Sequence, residues 1–448
     1  MLPFFRREGI KIQSVKLKTI FKYVAPSVIA SVCFFLFTII DGIFVGNGVG
    51  ENALGAVNIV FPFIMIINAV FLLITVGGVA VAAVRFGKGN ENGANDAFMH
   101  ALCVMLAAAV LLTVTGTTLT KPIGYMLGAN ETYIGYVRDY LFWYSLFLIP
   151  SAIGTTFQYF CRNDGSPVLV MVATAISSAS NIFLDWLFVY PLKKGMAGAA
   201  IATGISQTLY MFVIGTHFMR KKGKLRIRKF AFSKTVLGKI FLRGVPESVS
   251  QFAVPVSTIC LNYVLLDRIG EIAVNAFSVI NYVASFSVAI FVGVAQGIQP
   301  LLGKAYGEKN EKDLFYIRRV SAVIDVVGAG AIYVLLLFVG SAICGTFGAN
   351  TETSEYVNRV MPAFAWGFIV MSLNTLISTY LYSTKRTKEA IIMNALRSFV
   401  FTIAVILLLP LVFGNGIIWH TFGIYEALSL IVGFILMKRS ERNGITFK

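Results

Sequence analysis

The segment Phe86-Gly87-Lys88-Gly89-Asn90-Glu91 returns 220 residues later as Tyr306-Gly307-Glu308-Lys309-Asn310-Glu311. Three further pairs share this offset and keep the same order along the chain. They are Pro26 and Pro246, Gly50-Glu51-Asn52-Ala53-Leu54 and Gly270-Glu271-Ile272-Ala273-Val274, and Leu127-Gly128-Ala129-Asn130 and Phe347-Gly348-Ala349-Asn350. Matches at one offset and in one order indicate two copies of one structural unit.

Each copy is strongly apolar. The chain is 57% hydrophobic and 13% charged, with a mean hydropathy of +0.78, which is typical of an integral membrane protein. We identify twelve apolar runs long enough to cross a bilayer, and in lipid such runs must be α-helices. They are 21–45, 52–80, 95–118, 130–153, 166–190, 196–219, 241–266, 272–300, 315–341, 355–378, 388–411 and 416–437. The sequence therefore predicts an all-α membrane protein with six spans per copy.

An even number of spans in each copy means that both copies enter the membrane from the same side. They are thus parallel repeats, an arrangement typical of transporters whose two halves rock about a site between them. The expected organisation is an N-terminal segment 1–20, a first bundle 21–219, a basic linker 220–240, a second bundle 241–437 and a tail 438–448.

The distribution of Lys and Arg predicts the orientation. With the N-terminus in the cytoplasm, all but six of the 38 Lys and Arg residues lie on the cytoplasmic side, as the positive-inside rule requires. The exceptions are Lys121, Arg138, Lys193, Lys194, Arg268 and Arg359. We expect a multi-pass membrane protein with both termini in the cytoplasm.

The net charge of +17 does not indicate a nucleic-acid partner, because the densest basic run, 220–229, lies in the linker. We interpret that run as an orientation signal that touches anionic lipid head groups. The sequence has no phosphate-binding Gly-rich loop ending in Lys-Ser or Lys-Thr, only three His, and no nucleophile–base pair. We therefore expect neither an enzyme nor a bound cofactor, and an energy source in an ion gradient or in the substrate's own gradient.

Two acids in the first copy stand at matching depth. Asp41 and Asp185 each lie about five residues before the outer end of a helix, or roughly 8 Å below it at 1.5 Å per residue. Asn181 is one turn from Asp185 on the same helix face, and Thr203 arrives at a comparable depth on the next helix. We expect these four side chains to converge.

Two carboxylates, an amide and a hydroxyl suit the binding of Na⁺ through oxygen, or the sharing of a proton. An organic cation arriving from inside would displace either ion, as in an antiporter. The alternative is that each acid only holds helices together. At the offset of 220 the second copy has Leu261 opposite Asp41, and Val405-Ile406-Leu407 opposite Asp185, so we expect the coupling chemistry in the first copy alone.

Further polar residues occur within or beside the spans, where ionisable groups are costly and functional by default. Each either lines a cavity or makes hydrogen bonds between helices, and the sequence leaves both interpretations open. They are Gln158, Glu247, Gln296, Gln299, Asp325 and Glu426.

Three segments of the sequence form a specific combination. They are Ile40-Asp41-Gly42-Ile43-Phe44-Val45-Gly46 with Gly50-Glu51-Asn52-Ala53-Leu54, Asn181-Ile182-Phe183-Leu184-Asp185 followed by Gly198-Ala199-Ala200-Ile201-Ala202-Thr203, and Gln296-Gly297-Ile298-Gln299-Pro300-Leu301-Leu302. Together they resemble the MATE (multidrug and toxic compound extrusion) family, and within it the bacterial MepA-like branch, and the resemblance extends from about residue 15 to 440. We therefore expect a monomer in the cytoplasmic membrane of a bacterium.

The resemblance implies two six-helix bundles in a V around a central cavity, and export of diverse, mostly cationic compounds coupled to H⁺ or Na⁺. It assigns Asp41 as the central coupling acid, with Asn181, Asp185 and Thr203 as its partners. Some members carry a cation-site acid near position 255, where this chain has Pro255, so we expect no second-bundle sodium site of that kind.

The alternative function is a flippase for a lipid-linked or otherwise amphiphilic substrate. A cavity that holds a pyrophosphate is expected to be rich in Arg and Lys, whereas the spans contain almost none.

Overall fold

The structure is a computed structural model that describes residues 15–49, 51–131, 133–220, 223–346 and 351–441. Residues 1–14 of the N-terminal segment, 442–448 of the tail and the repeat copy at 347–350 lie outside this part of the chain. Throughout the described part, the regular structure is helical.

The helices follow the order of the predicted spans. They are α1 Leu17–Gly48, α2 Glu51–Gly87, α3 Glu91–Thr118, α4 Thr120–Met126, α5 Ile134–Leu146, α6 Leu148–Asn163, α7 Pro167–Val189, α8 Gly195–Met219, α9 Lys234–Ser250, α10 Ala253–Arg268, α11 Glu271–Gly307, α12 Glu311–Thr346, α13 Thr351–Ala365, α14 Gly367–Ser383, α15 Thr387–Ala395, α16 Thr402–Phe413 and α17 Thr421–Glu441. A π-helical turn, Leu396–Phe401, joins α15 to α16, and a 3₁₀ turn, Asn415–His420, precedes α17.

Eleven continuous or nearly straight helical segments of the described chain are long and apolar enough to span a membrane, and the pair α5 and α6, bent by 53°, makes a twelfth. The predicted twelve-span, all-α fold is thus confirmed. The boundaries differ most at the fourth span, predicted at 130–153, because the chain bends at Phe147 and continues to Asn163. We call α1–α8 the first lobe and α9–α17 the second.

One end of the molecule, which we call the basic face, carries the ends of α2, α6, α8, α11 and α14. On that half of the molecule the lobes share a single apolar core, to which α2, α6, α11 and α14 all contribute. On the half toward the opposite face each lobe has its own core, one around Tyr140 and Val189 and the other around Phe364 and Phe422. The lobes are therefore joined at the basic face and form separate cores beyond it.

The surface along which the two lobes meet, which we call the seam, contains glycines that let the lobes approach to backbone contact. A Cβ on Gly293 of α11 would lie 2.6 Å from Cα of Val28 in α1, and one on Gly244 of α9 would overlap the Leu73 carbonyl of α2. Small residues at helix crossings are how membrane helices gain close packing. Where the seam reaches the basic face, burial and repulsion from Lys88, Arg243 and Lys239 lower the pKa of Lys385 to about 8.

The repeat is visible in a contact that the two lobes share. Gly204 of α8 packs on the Phe147 ring at the break between α5 and α6, and Gly423 of α17 packs on the Trp366 ring at the break between α13 and α14. In both positions a Cβ would overlap the ring. The two copies thus keep one helix–helix contact while the surrounding sequence has diverged.

The linker is fixed to the first lobe. The Asp164 carboxylate accepts hydrogen bonds from the backbone N–H groups of Lys224 (2.8 Å) and Leu225 (3.0 Å). The Asn95 side chain accepts from the N–H of Arg226 at 2.6 Å, and His100 Nε2 from that of Ser233 at 2.8 Å. Because α9 begins one residue after Ser233, the second lobe is tethered directly to the surface of the first.

Candidate functional site

Asp41 and Asp185 meet between α1 and α7, in the half of the first lobe away from the basic face. Their carboxyl groups lie within hydrogen-bonding reach of each other. Asp185 is fully buried, and among the described residues neither of its oxygens has a donor; the same holds for Oδ1 of Asp41. Two adjacent carboxylates only accept hydrogen bonds, so this pair requires a shared proton or a bound cation.

Asn181 and Thr203 complete the group. Asn181 is 1% exposed, and its Nδ2 lies 3.4 Å from the Thr203 hydroxyl oxygen, which links α7 to α8. Since the amide nitrogen is turned to Thr203, the amide oxygen is left without a donor. The structure therefore brings together all four residues singled out in the sequence and leaves oxygens on three of them unsatisfied.

Tyr140 of α5 is a neighbour that the sequence did not reveal. It is buried close enough to Asp41 and Asp185 to interact electrostatically with both, and its ring stacks on Tyr144 at 5.8 Å. The two tyrosines are four residues apart, so they share one helix face. That spacing was the available signal, but it does not say which face of α5 meets α1 and α7.

The corresponding region of the second lobe is apolar. Leu261, Val405 and Ile406 are buried in the core of that lobe. The second lobe therefore lacks the carboxylate pair at the positions equivalent by the repeat.

A narrow cavity lies between the lobes, nearer the basic face. It is lined from the first lobe by Val76 and Tyr159 and from the second by Glu247, Gln296 and Gln299, among others. Gln296 donates to the Tyr159 hydroxyl (2.9 Å) and accepts from Arg162, while Gln299 Nε2 lies 3.4 Å from the Val76 carbonyl oxygen. Both glutamines therefore line the cavity and also bond across the seam.

Comparison with known families decides the identity of the chain. The MatE family model matches residues 26–187 and again 246–408. The two matches start 220 residues apart and together cover more than half of the chain. The chain belongs to the MATE family of transporters. The double match also confirms the internal repeat.

Relatives and solved structures agree with this assignment. The multidrug export protein MepA of Staphylococcus haemolyticus is 22% identical over 96% of this chain and 94% of its own. A multidrug resistance MATE family transporter of the MOP superfamily, solved in an outward-facing conformation, is 22% identical with a TM-score of 0.90, covering 96% of this chain and 97% of its own. A MOP superfamily transporter from Pyrococcus furiosus is 23% identical with a TM-score of 0.87, and the match covers 95% of this chain and 96% of its own.

In this MATE-family chain, Glu426 is engaged in the core of the second lobe. Arg397 Nε donates to Glu426 Oε1 at 2.9 Å, and Asn374 Nδ2 donates to Oε2 at 2.6 Å. Arg397 lies in the π-helical turn Leu396–Phe401, whose extra residue carries the guanidinium toward α17. Of the two roles that the sequence left open for Glu426, this geometry favours the structural one.

The other polar candidates are dispersed. Asp325 is buried in α12, and its Oδ1 has no donor among the described residues. Gln158 is partly buried on α6 and is not among the residues that line the cavity. No group of three or more His, Cys, Asp or Glu side chains clusters in the described part of the chain, so an ion at Asp41 and Asp185 would need neutral oxygens as well.

Proposed function

We propose that this MATE-family chain is a multidrug exporter of a bacterial cytoplasmic membrane, acting as a monomer. In this proposal it exchanges organic, mostly cationic compounds for H⁺ or Na⁺. The observation that carries the proposal is the adjacent Asp41–Asp185 pair, in which Asp185 is fully buried, Asp41 is partly buried, and three carboxylate oxygens lack a donor among the described residues. The printed names of the MepA relatives, which are multidrug export proteins, support the substrate class.

The pair acts as a site for one positive charge at a time. When both carboxylates are ionised and no cation is bound between them, their mutual repulsion is uncompensated in the low dielectric of the protein interior. A proton shared between them relieves it, and so does Na⁺ held by the carboxylates with the Asn181 and Thr203 oxygens. A cationic substrate competes for the same charge, so loading the ion and releasing the drug become one exchange.

The arrangement of the lobes supports alternating access. They share a core at the basic face and have separate cores at the opposite face. With the basic face in the cytoplasm, as the positive-inside rule favours, the state described is closed to the cytoplasm. The carboxylate pair then lies in the half of the first lobe nearer the outside, where ions enter and drugs leave.

The flippase alternative is less well supported. Three arginines are buried within the described helices, and each donates to a protein acceptor: Arg162 to Gln296, Arg243 to the Ala80 carbonyl, and Arg397 to Glu426. Of these, Arg162 keeps two guanidinium nitrogens without an acceptor among the described residues. A pyrophosphate-binding cavity needs several cations directed into it, and one arginine with unpaired donors is fewer than that.

The test uses the purified protein in proteoliposomes with a fluorescent cationic dye. We expect dye movement under an imposed pH gradient or an imposed Na⁺ gradient, but not in their absence. If H⁺ is the coupling ion, dye binding should weaken as pH falls, because protonation removes about one unit of negative charge from the pair. If Na⁺ is the coupling ion, dye binding should weaken as the Na⁺ concentration rises at constant pH. Dye binding and movement that ignore both ions would refute coupled export.

A further inference from the structure

A second pocket opens at the basic face of the first lobe, far from the carboxylate pair. It lies between the start of α1, the start of α7 and the end of α8, and has a cavity volume of about 290 Å³. Its basic side chains come from Lys22, His217 and Arg220, and one wall is the chain at 165–169. The pocket is therefore built from three helices and carries positive charge at the level where a helix leaves the membrane.

The wall at 165–169 is a helix N-terminus. The 23-residue helix α7 begins at Pro167, and Ser166 at its N-cap makes no side-chain hydrogen bond to it. The first N–H groups of a helix have no acceptor within the helix. Those of Val168 and Leu169 therefore remain available at the pocket, with the partial positive charge of the helix dipole behind them.

A second observation, independent of α7, points to a ligand. His217 lines the pocket with 1% of its side chain exposed, and its Nδ1 has no hydrogen-bond partner among the described residues. The other ring nitrogen, Nε2, is bonded to the Asp164 carboxylate at 2.9 Å, and Gly223 packs against that side of the ring. Nδ1 is therefore the ring nitrogen of this pocket-lining residue that is left unpaired, and a buried donor or acceptor is costly unless something pairs with it.

The Asp164 carboxylate beside the pocket is turned to the linker. Asp164 accepts from His217 and from the backbone N–H groups of Lys224 and Leu225. Its lone pairs are thus used on the linker side, while Lys22 and Arg220 are exposed at the mouth. Exposed apolar side chains flank the same mouth, with Phe21 at 48%, Val168 at 48% and Met219 at 77%.

We infer that this pocket binds the phosphate group of an anionic phospholipid from the leaflet at the basic face. The phosphate oxygens accept from the N–H groups at the start of α7 and from Nδ1–H of a His217 ring that carries a hydrogen on both nitrogens, with Lys22 and Arg220 compensating the remaining charge. The acyl chains lie along Phe21, Val168 and Met219. A lipid bound here would clamp α1 to α7 and α8, whatever compound the protein transports.

The test is the thermal unfolding midpoint of the full-length protein in detergent, titrated with phosphatidylglycerol, phosphatidylcholine or inorganic phosphate. A ligand that binds the folded state raises the midpoint in a concentration-dependent way. We expect phosphatidylglycerol to raise it at concentrations where phosphatidylcholine and inorganic phosphate do not. Equal effects of all three ligands would overturn the site, and phosphate acting as well as phosphatidylglycerol would overturn its assignment to lipid.

Two variants and matched controls locate the effect. Ser166→Asp places a carboxylate at the N-cap of α7, a favourable cap that competes with the phosphate, whereas Ser166→Ala cannot cap and leaves the N–H groups of Val168 and Leu169 available. We expect Ser166→Asp and the double variant Lys22→Gln/Arg220→Gln to weaken phosphatidylglycerol binding by about tenfold or more, in line with the loss of charge-assisted hydrogen bonds. Ser166→Ala and Lys234→Gln, an exposed lysine on the same face, should bind as the wild type does. Equal binding by all variants would overturn the inference.

Discussion

Asp185 has the least satisfied carboxylate of the proposed site: it is fully buried, it faces Asp41, and neither oxygen has a donor in the described chain. A residue kept only to join helices would be bonded to a backbone or side-chain donor, as Glu426 is to Arg397 and Asn374. The contrast between these two buried acids is the physical ground for giving them different roles.

We expect Asp185→Asn and Asp41→Asn each to reduce gradient-driven dye transport to the level of protein-free vesicles, because a single carboxylate beside an amide no longer exchanges a proton or Na⁺ for the drug. Asp139→Asn, which changes an exposed carboxylate of α5, should transport normally. The measurement is the initial rate in proteoliposomes at equal protein content. Adding Leu261→Asp should restore neither variant, since the pair belongs to one lobe; rescue would show that the lobes are interchangeable.

The convergence of Asp41, Asn181, Asp185 and Thr203 was predictable because depth along a helix follows from 1.5 Å per residue and helix faces follow from i, i+4 spacing. Tyr140 was not predictable in the same way. Its place beside the pair depends on how α5 is rotated against α1 and α7, which is set by packing between helices and not by any local pattern.

At the scale of the helix, the breaks are the features that hydropathy could not reveal. The fourth span bends by 53° at Phe147, three residues before Pro150 in the first turn of α6, which has no N–H to bond the Leu146 carbonyl across the break. The ring of Phe147 packs on Gly204 of a neighbouring helix, so a tertiary contact accompanies the bend. The π-helical turn Leu396–Phe401 is similar, because it directs Arg397 toward a glutamate on α17.

This turn gives a test of Glu426. Glu426→Gln removes the hydrogen-bonded counter-charge of the buried Arg397 guanidinium, a loss that typically costs about 3–5 kcal/mol, so we expect a clear fall in the unfolding midpoint in detergent. The apolar double variant Arg397→Met/Glu426→Leu removes both charges and should recover most of that stability. It should also keep gradient-driven transport. A double variant that is as stable as the wild type but no longer coupled to the gradient would make Glu426 a functional acid.

At the scale of the whole molecule, the sequence established two parallel six-helix copies, but it carried no information about the conformation in which they meet. That depends on the seam, where Gly244 and Gly293 allow backbone contact between lobes. It also depends on electrostatics, because closing the basic face brings Lys88 of the first lobe near Lys385 of the second. The closed state thus gains packing and loses charge–charge energy, a balance suited to a protein that must open again.

Gly244 should therefore control the equilibrium between the closed and open basic face. A Cβ there overlaps the Leu73 carbonyl across the seam, and overpacking of this kind costs about 1–3 kcal/mol, enough to shift the populations by about tenfold. We expect Gly244→Ala to lengthen the distance between spin labels at Lys229→Cys and Lys388→Cys in a cysteine-free background, and to slow transport. Gly330→Ala is the matched control, since a Cβ on that α12 glycine meets nothing within 4 Å. An unchanged distance distribution in Gly244→Ala would mean that the glycine seam is not the gate, and that opening at the basic face depends on other contacts between the lobes.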